Sequence, residues 1–212
     1  MMNVPNAIYS LPKWTGTARP QYPWMNCVRL KCDGEVAFAE STDGRRLARI
    51  SWSFTGPESE YFLPAKPLSK TLRAVGMTKD GYHASLNGKV TIYGKKAGLE
   101  AAVCTEPGRW PKTEDVLYPP ESSRMDTVDA YWLRNVARAK LAEGGSPPSM
   151  TMQVGPVSVL LDAKYVRDMA ETAIQCGFDE LQVYATDQQS GVHFQAMNDV
   201  RFDSVIMPLA QD

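Results

Sequence analysis

Three observations predict an α+β fold of duplicated β-α-β-β-β units, with antiparallel sheets carrying helices on one face. Short alternating strand-like runs recur along the chain and are separated by Asp-Gly and Asn-Gly turns. Three longer segments carry apolar residues at helical spacing. A strand, a helix and three further strands follow one another twice, over residues 60–105 and 157–208. Sheets half-covered by helices are the arrangement that buries both kinds of apolar face. The 212 residues suit one large or two small domains, and 43% hydrophobic residues supply a core.

The first strands are expected over residues 24–32, 35–42 and 45–54, rich in Val, Ile, Phe and Trp and divided by Asp33-Gly34 and Asp43-Gly44. Gly56-Pro57 then breaks the run. Tyr61-Phe62-Leu63-Pro64 feeds a helix over residues 65–75, where Leu68, Leu72 and Val75 form one stripe. Lys66, Lys70 and Arg73 lie about 200° away, on the opposite face, and Gly76 is a natural stop. Strands over 82–86, 89–93 and 99–105 follow, the first two joined by Asn87-Gly88. Prolines at 107, 111, 119 and 120 exclude a sheet, so residues 107–123 are the connector between domains 1–120 and 121–212. A second helix is expected over 129–142, with Trp132, Leu133, Val136 and Ala137 on its apolar side, ended by Gly144-Gly145-Ser146-Pro147-Pro148. Strands over 149–154 and 157–161 lead to a third helix over 162–176, whose core face is Val166, Met169, Ala170, Ala173 and Ile174. Strands over 180–185, 192–197 and 202–208 close the chain.

No apolar run reaches the roughly 18–20 residues that span a bilayer, and residues 1–14 lack the layout of a signal peptide, which predicts a cytoplasmic protein. Cys27, Cys32, Cys104 and Cys176 form no C-x-x-C pair and are expected to be reduced, mostly buried thiols. His83 and His193 each sit in a strand-like stretch and make no metal or base constellation. No phosphate-binding glycine loop, G-x-S-x-G, metal spacing or Cys/His pairing is present. Glu40 and Asp43 are the nearest thing to an acidic pair, and the turn accounts better for Asp43. No enzyme, cofactor, catalytic residue or metal is expected. Residues 1–120 carry 16 Lys and Arg against 11 Asp and Glu, and residues 121–212 carry 7 against 13. Halves of opposite sign suit head-to-tail self-association, and equally suit plain solvated surfaces.

Several motifs occur together in order. Arg19-Pro20, the strand from Trp24, Asp33-Gly34 and Thr42-Asp43-Gly44-Arg45-Arg46-Leu47-Ala48 come first. Leu63-Pro64-Ala65-Lys66, Gly108-Arg109-Trp110-Pro111 with Val116-Leu117, Leu161-Asp162-Ala163-Lys164-Tyr165-Val166 and Val205-Ile206-Met207-Pro208-Leu209 complete the set. In this order they resemble the second and third domains of the bacterial DNA polymerase III β subunit, the sliding clamp. The chain departs from that pattern in having no first domain, in a helix before Arg19 that Pro12 cuts short at Asn6–Leu11, and in room for one strand rather than three between Ala142 and Val157.

The resemblance implies a DNA-clamp-like fold and a processivity factor of reduced size, such as a phage or plasmid encodes. Its partners would be double-stranded DNA held without sequence preference, peptide tails of DNA polymerase or other clamp-binding proteins, and a clamp loader. It would be a homo-oligomer, with a trimer as the favoured closed form. DNA phosphates would be met by Lys66, Lys70, Arg73, Arg134, Arg138, Lys140, Lys164 and Arg167. Partner peptides would bind at Thr42, Gly44, Arg45, Arg46, Leu47, Pro119, Val205, Met207, Pro208 and Leu209. Gly44 would allow close backbone approach, and Leu47, Val205 and Met207 would form an adaptable apolar floor. Each cation also suits a solvated helix face, and Leu47 and Val205 also suit an ordinary core. The alternative function is a clamp-fold interaction or regulatory protein that binds clamp partners without encircling DNA.

Overall fold

The computed structural model describes residues 1–79, 81–86 and 88–210, so Asn87 of the Asn87-Gly88 turn lies outside the described residues. The chain forms two compact units. The first comprises Met1–Gly44, Arg49–Pro111 and Asp199–Arg201; the second comprises Arg45–Ala48, Lys112–Asn198 and the residues from Phe202 onward. The connector from Lys112 is thus part of the second unit, ahead of the division after residue 120 suggested by the prolines.

The first unit runs β1 (Met2–Val4), a 3₁₀ segment (Asn6–Trp14), a short 3₁₀ turn (Pro23–Asn26), β2 (Cys27–Cys32), β3 (Val36–Thr42) and β4 (Arg46–Ser53, shared with the second unit). It continues through β5 (Ser59–Pro64), α1 (Ala65–Val75), β6 (Tyr82–Leu86), β7 (Val90–Tyr93) and β8 (Gly98–Ala101). One sheet has the order β1-β6-β7-β8, and β5, β2, β3 and β4 lie side by side in that order. The chain does not stop turning at Pro12. The 3₁₀ segment carries on to Trp14, because Ala7, Ile8, Leu11 and Trp14 are all buried, and Ser10 Oγ donates to the Ala7 carbonyl at 2.7 Å. Leu68, Leu72 and Val75 of α1 are buried as their spacing predicts, each contributing about 1.5–3 kcal/mol. Gly76, at φ 71°, ends the helix with its N–H donating to the Leu72 carbonyl.

Glu40 lies entirely inside this unit. Arg29 Nη1 donates to its Oε1 at 2.8 Å and Arg49 Nη2 to its Oε2 at 2.7 Å, while Arg29 also meets Glu60 at 2.6 Å. The register sets up the first of these contacts, since Arg29 faces Glu40 on β3. A carboxylate held by two guanidiniums and sealed from water is a structural strut, which removes the Glu40–Asp43 pair as chemistry.

The second unit runs α2 (Glu114–Leu117), β9 (Arg124–Asp129), α3 (Ala130–Glu143), β10 (Ser149–Val154), β11 (Val157–Asp162), α4 (Ala163–Gln175), β12 (Glu180–Ala185), β13 (Val192–Met197) and β14 (Val200–Ile206, whose first residues belong to the first unit). Asp129 caps α3 by accepting from the Trp132 N–H at 2.6 Å, and Asp162 caps α4 by accepting from the Lys164 N–H at 2.7 Å. Strands β14, β13, β12 and β9 adjoin in that order, and β10 pairs with β11 alone. The strand β9 has no apolar alternation and lies just past the connector read over residues 107–123. It forms because six residues, Arg124–Asp129, match β12 from Ala185 back to Glu180.

Candidate functional site

The turn Thr42-Asp43-Gly44 is built as its residues require. Thr42 Oγ1 accepts from the Gly44 N–H at 3.0 Å, and Gly44 takes φ 88°, a conformation that glycine alone adopts freely. Thr42 is buried, so its hydroxyl serves the turn, while Gly44 and Arg45 are exposed.

Beyond the turn, the second unit assembles an apolar site from distant parts of the chain. Leu47, Leu117 and Val205 form one buried cluster, with exposures of 5%, 2% and 2%. Met207, two residues past Val205 on the same side of the extended chain, remains 43% exposed. Its N–H donates to the Arg45 carbonyl at 2.9 Å, which continues the strand past Ile206. Gly191 leaves the space these side chains fill: a Cβ there would meet Val205 Cγ1 at 2.8 Å and Met207 Sδ at 3.3 Å. The following residues are pinned as well, the Leu209 N–H donating to the Leu160 carbonyl at 2.9 Å. Pro208 and Leu209 line a cavity of about 340 Å³ with Gln188, Gln189 and Ala210.

Leu117 was absent from the residues expected at this site. It belongs to α2, in the proline-rich stretch read as a linker, and its carbonyl accepts from Gln195 Nε2 at 3.3 Å. Val116-Leu117 stood among the resembling motifs, which was the available signal. Pro119 is half-buried two residues further on. His193 is buried, and burial lowers its pKa below the ordinary histidine value, partly offset by the bond to Leu117.

Arg46 is buried within the second unit. Its Nη1 donates to Asp168 Oδ2 at 2.8 Å with both side chains 2% exposed, and its guanidinium lies 4.2 Å from the centre of the Tyr165 ring. Arg167 donates to the other oxygen of Asp168 at 2.6 Å. Arg45, just before β4, is exposed, whereas Arg46, its first residue, is buried and reaches Asp168 of α4. Of the expected groove residues, Arg46 is therefore internal support.

The candidate DNA-facing cations divide by helix. Lys66, Lys70 and Arg73 of α1 are all exposed, and among the described residues no carboxylate pairs with them; Arg73 Nε donates to Tyr9 Oη at 3.1 Å. On α3 and α4, Arg138 pairs with Glu171 at 2.8 Å, Lys140 with Glu143 at 2.7 Å and Arg167 with Asp168. Arg134 lies over the Tyr131 ring at 5.1 Å, and Lys164 is exposed.

Among the described residues no group of three or more His, Cys, Asp and Glu could hold a metal ion. Burial pushes the Cys27 and Cys176 thiols up to about 12, with Cys104 adding to the effect at Cys27, so neither is a ready nucleophile. No described helix is long and apolar enough to cross a membrane.

No protein-family model matches the chain, nor does any curated protein sequence. Solved structures do. The DNA polymerase III subunit beta from Pseudomonas aeruginosa aligns with a TM-score of 0.78 and 17% identity over 97% of this chain and 63% of its own. The fold is that of a DNA sliding clamp. A putative DNA polymerase III beta subunit from Eubacterium rectale gives 0.76 at 11% identity, covering 96% of this chain and 62% of its own. A DNA polymerase sliding clamp from Pseudomonas aeruginosa gives 0.76 at 15%, covering 97% and 64%. The chain thus spans about 63% of the length of the first of these clamps.

Proposed function

We propose that this clamp-fold protein is a non-enzymatic platform that holds double-stranded DNA without reading sequence and captures peptide tails of DNA polymerase or other clamp-binding partners. The observation that carries this is the apolar site of Leu47, Leu117 and Val205 with Met207 half-open beside it. A buried floor flanked by one accessible, adaptable methionine suits a peptide anchored by one or two apolar side chains. The groove comprises Arg45, Leu47, Leu117, Val205, Met207, Pro208 and Leu209, with Gly44 and Pro119 at its margins and Thr42 shaping the turn. The exposed cations of α1 support phosphate contact, and copies of the chain join head to tail, as a trimer in closed form.

A second reading has its own support. Three of the five candidate cations on α3 and α4 are already neutralised by carboxylates, which favours a platform that binds clamp partners without encircling DNA.

Titration of a labelled peptide carrying the apolar and polar residues of a clamp-binding tail tests the groove. Met207→Ala should weaken binding by about 1–2 kcal/mol, roughly 5- to 30-fold. Retention on circular DNA should be unchanged in the same variant. Absence of saturable binding by the wild type, or equal affinity in the variant, would overturn the groove assignment.

A further inference from the structure

Two cysteines far apart in the sequence meet inside the first unit. The register of β2 with β5 sets Cys27 opposite Pro64 and Arg29 opposite Phe62, so these four side chains share one face of the sheet. The stretch that follows β8 returns to that face. Its Cys104 N–H donates to the Phe62 carbonyl at 2.7 Å. Its Trp110 ring lies 5.7 Å from the Phe62 ring and 5.7 Å from the Arg29 guanidinium. The Cys27 and Cys104 thiols become hydrogen-bonding neighbours there. The other two cysteines lie elsewhere. Cys32 ends β2, where its thiol donates to the Gly56 carbonyl at 4.0 Å, and Cys176 follows α4 in the second unit.

The two neighbouring thiols differ in access. Cys27 is 0% exposed, and its burial favours the neutral thiol. Cys104 is half-buried and sits in a stretch, residues 102–113, that forms neither strand nor helix. A small oxidant arriving from water therefore meets Cys104 first, and any electrophilic sulfur formed there has Cys27 beside it.

We propose that Cys27 and Cys104 are an oxidisable dithiol, which a hydroperoxide converts to a disulfide within the chain. The Cys104 thiolate attacks a peroxide oxygen; the O–O bond breaks, and the released oxygen takes up a proton. With hydrogen peroxide the products are a sulfenic acid on Cys104 and one water. The Cys27 sulfur then attacks the Cys104 sulfur, forming the S–S bond and breaking the S–O bond. The hydroxyl leaves with the Cys27 proton as a second water. The thiols lose two electrons and the peroxide gains them. The link closes residues 27–104, from the start of β2 to just past β8, into one covalent loop. It is a modification site in addition to the platform function, and it does not rest on that reading.

Thiol counting and mapping test it. After treatment with hydrogen peroxide the chain is denatured and alkylated with iodoacetamide, and a non-reducing digest is read by mass spectrometry. The untreated chain should take four alkyl groups and the treated chain two, with Cys27 and Cys104 recovered as one cross-linked peptide. Dithiothreitol should restore all four. Cys104→Ser should keep every remaining thiol through the same treatment, whereas Cys27→Ala should stop at a Cys104 sulfenic acid that dimedone captures. Four thiols surviving in the treated wild type would overturn the proposal. So would a cross-link through Cys32 or Cys176, disulfides found only between separate chains, or thiol loss in Cys104→Ser equal to that of the wild type. The cross-link is mapped in the wild-type chain, so a variant that fails to fold leaves the test standing.

Discussion

Asp168→Ala should destabilise the protein more than Arg46→Met, although both break the same ion pair. The difference follows from what each substitution leaves behind. Asp168 holds two guanidiniums, accepting from Arg46 at 2.8 Å and from Arg167 at 2.6 Å. Removing the carboxylate strands Arg46, only 2% exposed, against the face of Tyr165; a buried charge deprived of its partner costs about 3–5 kcal/mol. Removing Arg46 leaves Asp168 still bonded to Arg167, whose side chain is 30% exposed, and methionine refills the apolar volume, so the loss should be about 1–3 kcal/mol. Urea unfolding of wild type, both single variants and the double variant gives the coupling, which should lie near 0.5–3 kcal/mol for groups in direct contact. The Arg46→Met protein, once folded, should bind the groove peptide as the wild type does. Equal losses for the two single variants, or a specific loss of peptide affinity in a stable Arg46→Met protein, would refute the assignment of Arg46 as internal support.

Two further outcomes are expected. Replacing Lys66, Lys70 and Arg73 with glutamate should reduce retention on circular DNA to a similar extent for unrelated sequences, with the unfolding midpoint nearly unchanged because all three are exposed; unaltered retention would assign that face to solvent. His193 has a folded-state pKa below its unfolded value, so the unfolded chain binds the extra proton first and stability should fall as pH drops through about 6.5 toward the folded value. Urea midpoints at pH 5 and 7.5 should therefore differ less in His193→Gln than in wild type; an identical pH dependence in the two proteins would show that His193 does not titrate with folding.

The fold was legible where local chemistry and tertiary demand agree. Leu68, Leu72 and Val75 announce α1 by spacing, and Gly76 ends it, because burial and propensity favour one outcome. The Asp33-Gly34 turn is equally explicit, with Asp33 accepting from the Val36 N–H at 3.0 Å. β1 and β9 were invisible for the opposite reason. β1 has three residues, and β9 displays Arg, Met, Asp and Thr to solvent, so each exists through its ladder to β6 or β12 and not through any apolar period of its own. Pro12 misled in the other direction, since a 3₁₀ turn anchored by Leu11 and Trp14 tolerates the missing donor that would end a longer α-helix.

The site divides along the same line. Leu47, Val205 and Met207 could be nominated from the turn and the closing strand, because the motifs that carry them are contiguous. Arg45 and Arg46 could not be told apart from composition alone. The fold leaves Arg45 exposed and buries Arg46, and only the location of Asp168 on α4, far away in sequence, shows that the buried one is paired. Leu117 was hidden in a stretch whose prolines signal a linker. What ties that stretch to the sheet is its backbone carbonyl at Leu117, which accepts from Gln195 of β13. The proposed groove would thus depend on the polar Gln195 as well as on its apolar lining. A substitution at Gln195 should loosen Leu117 without touching any residue that a bound peptide would meet.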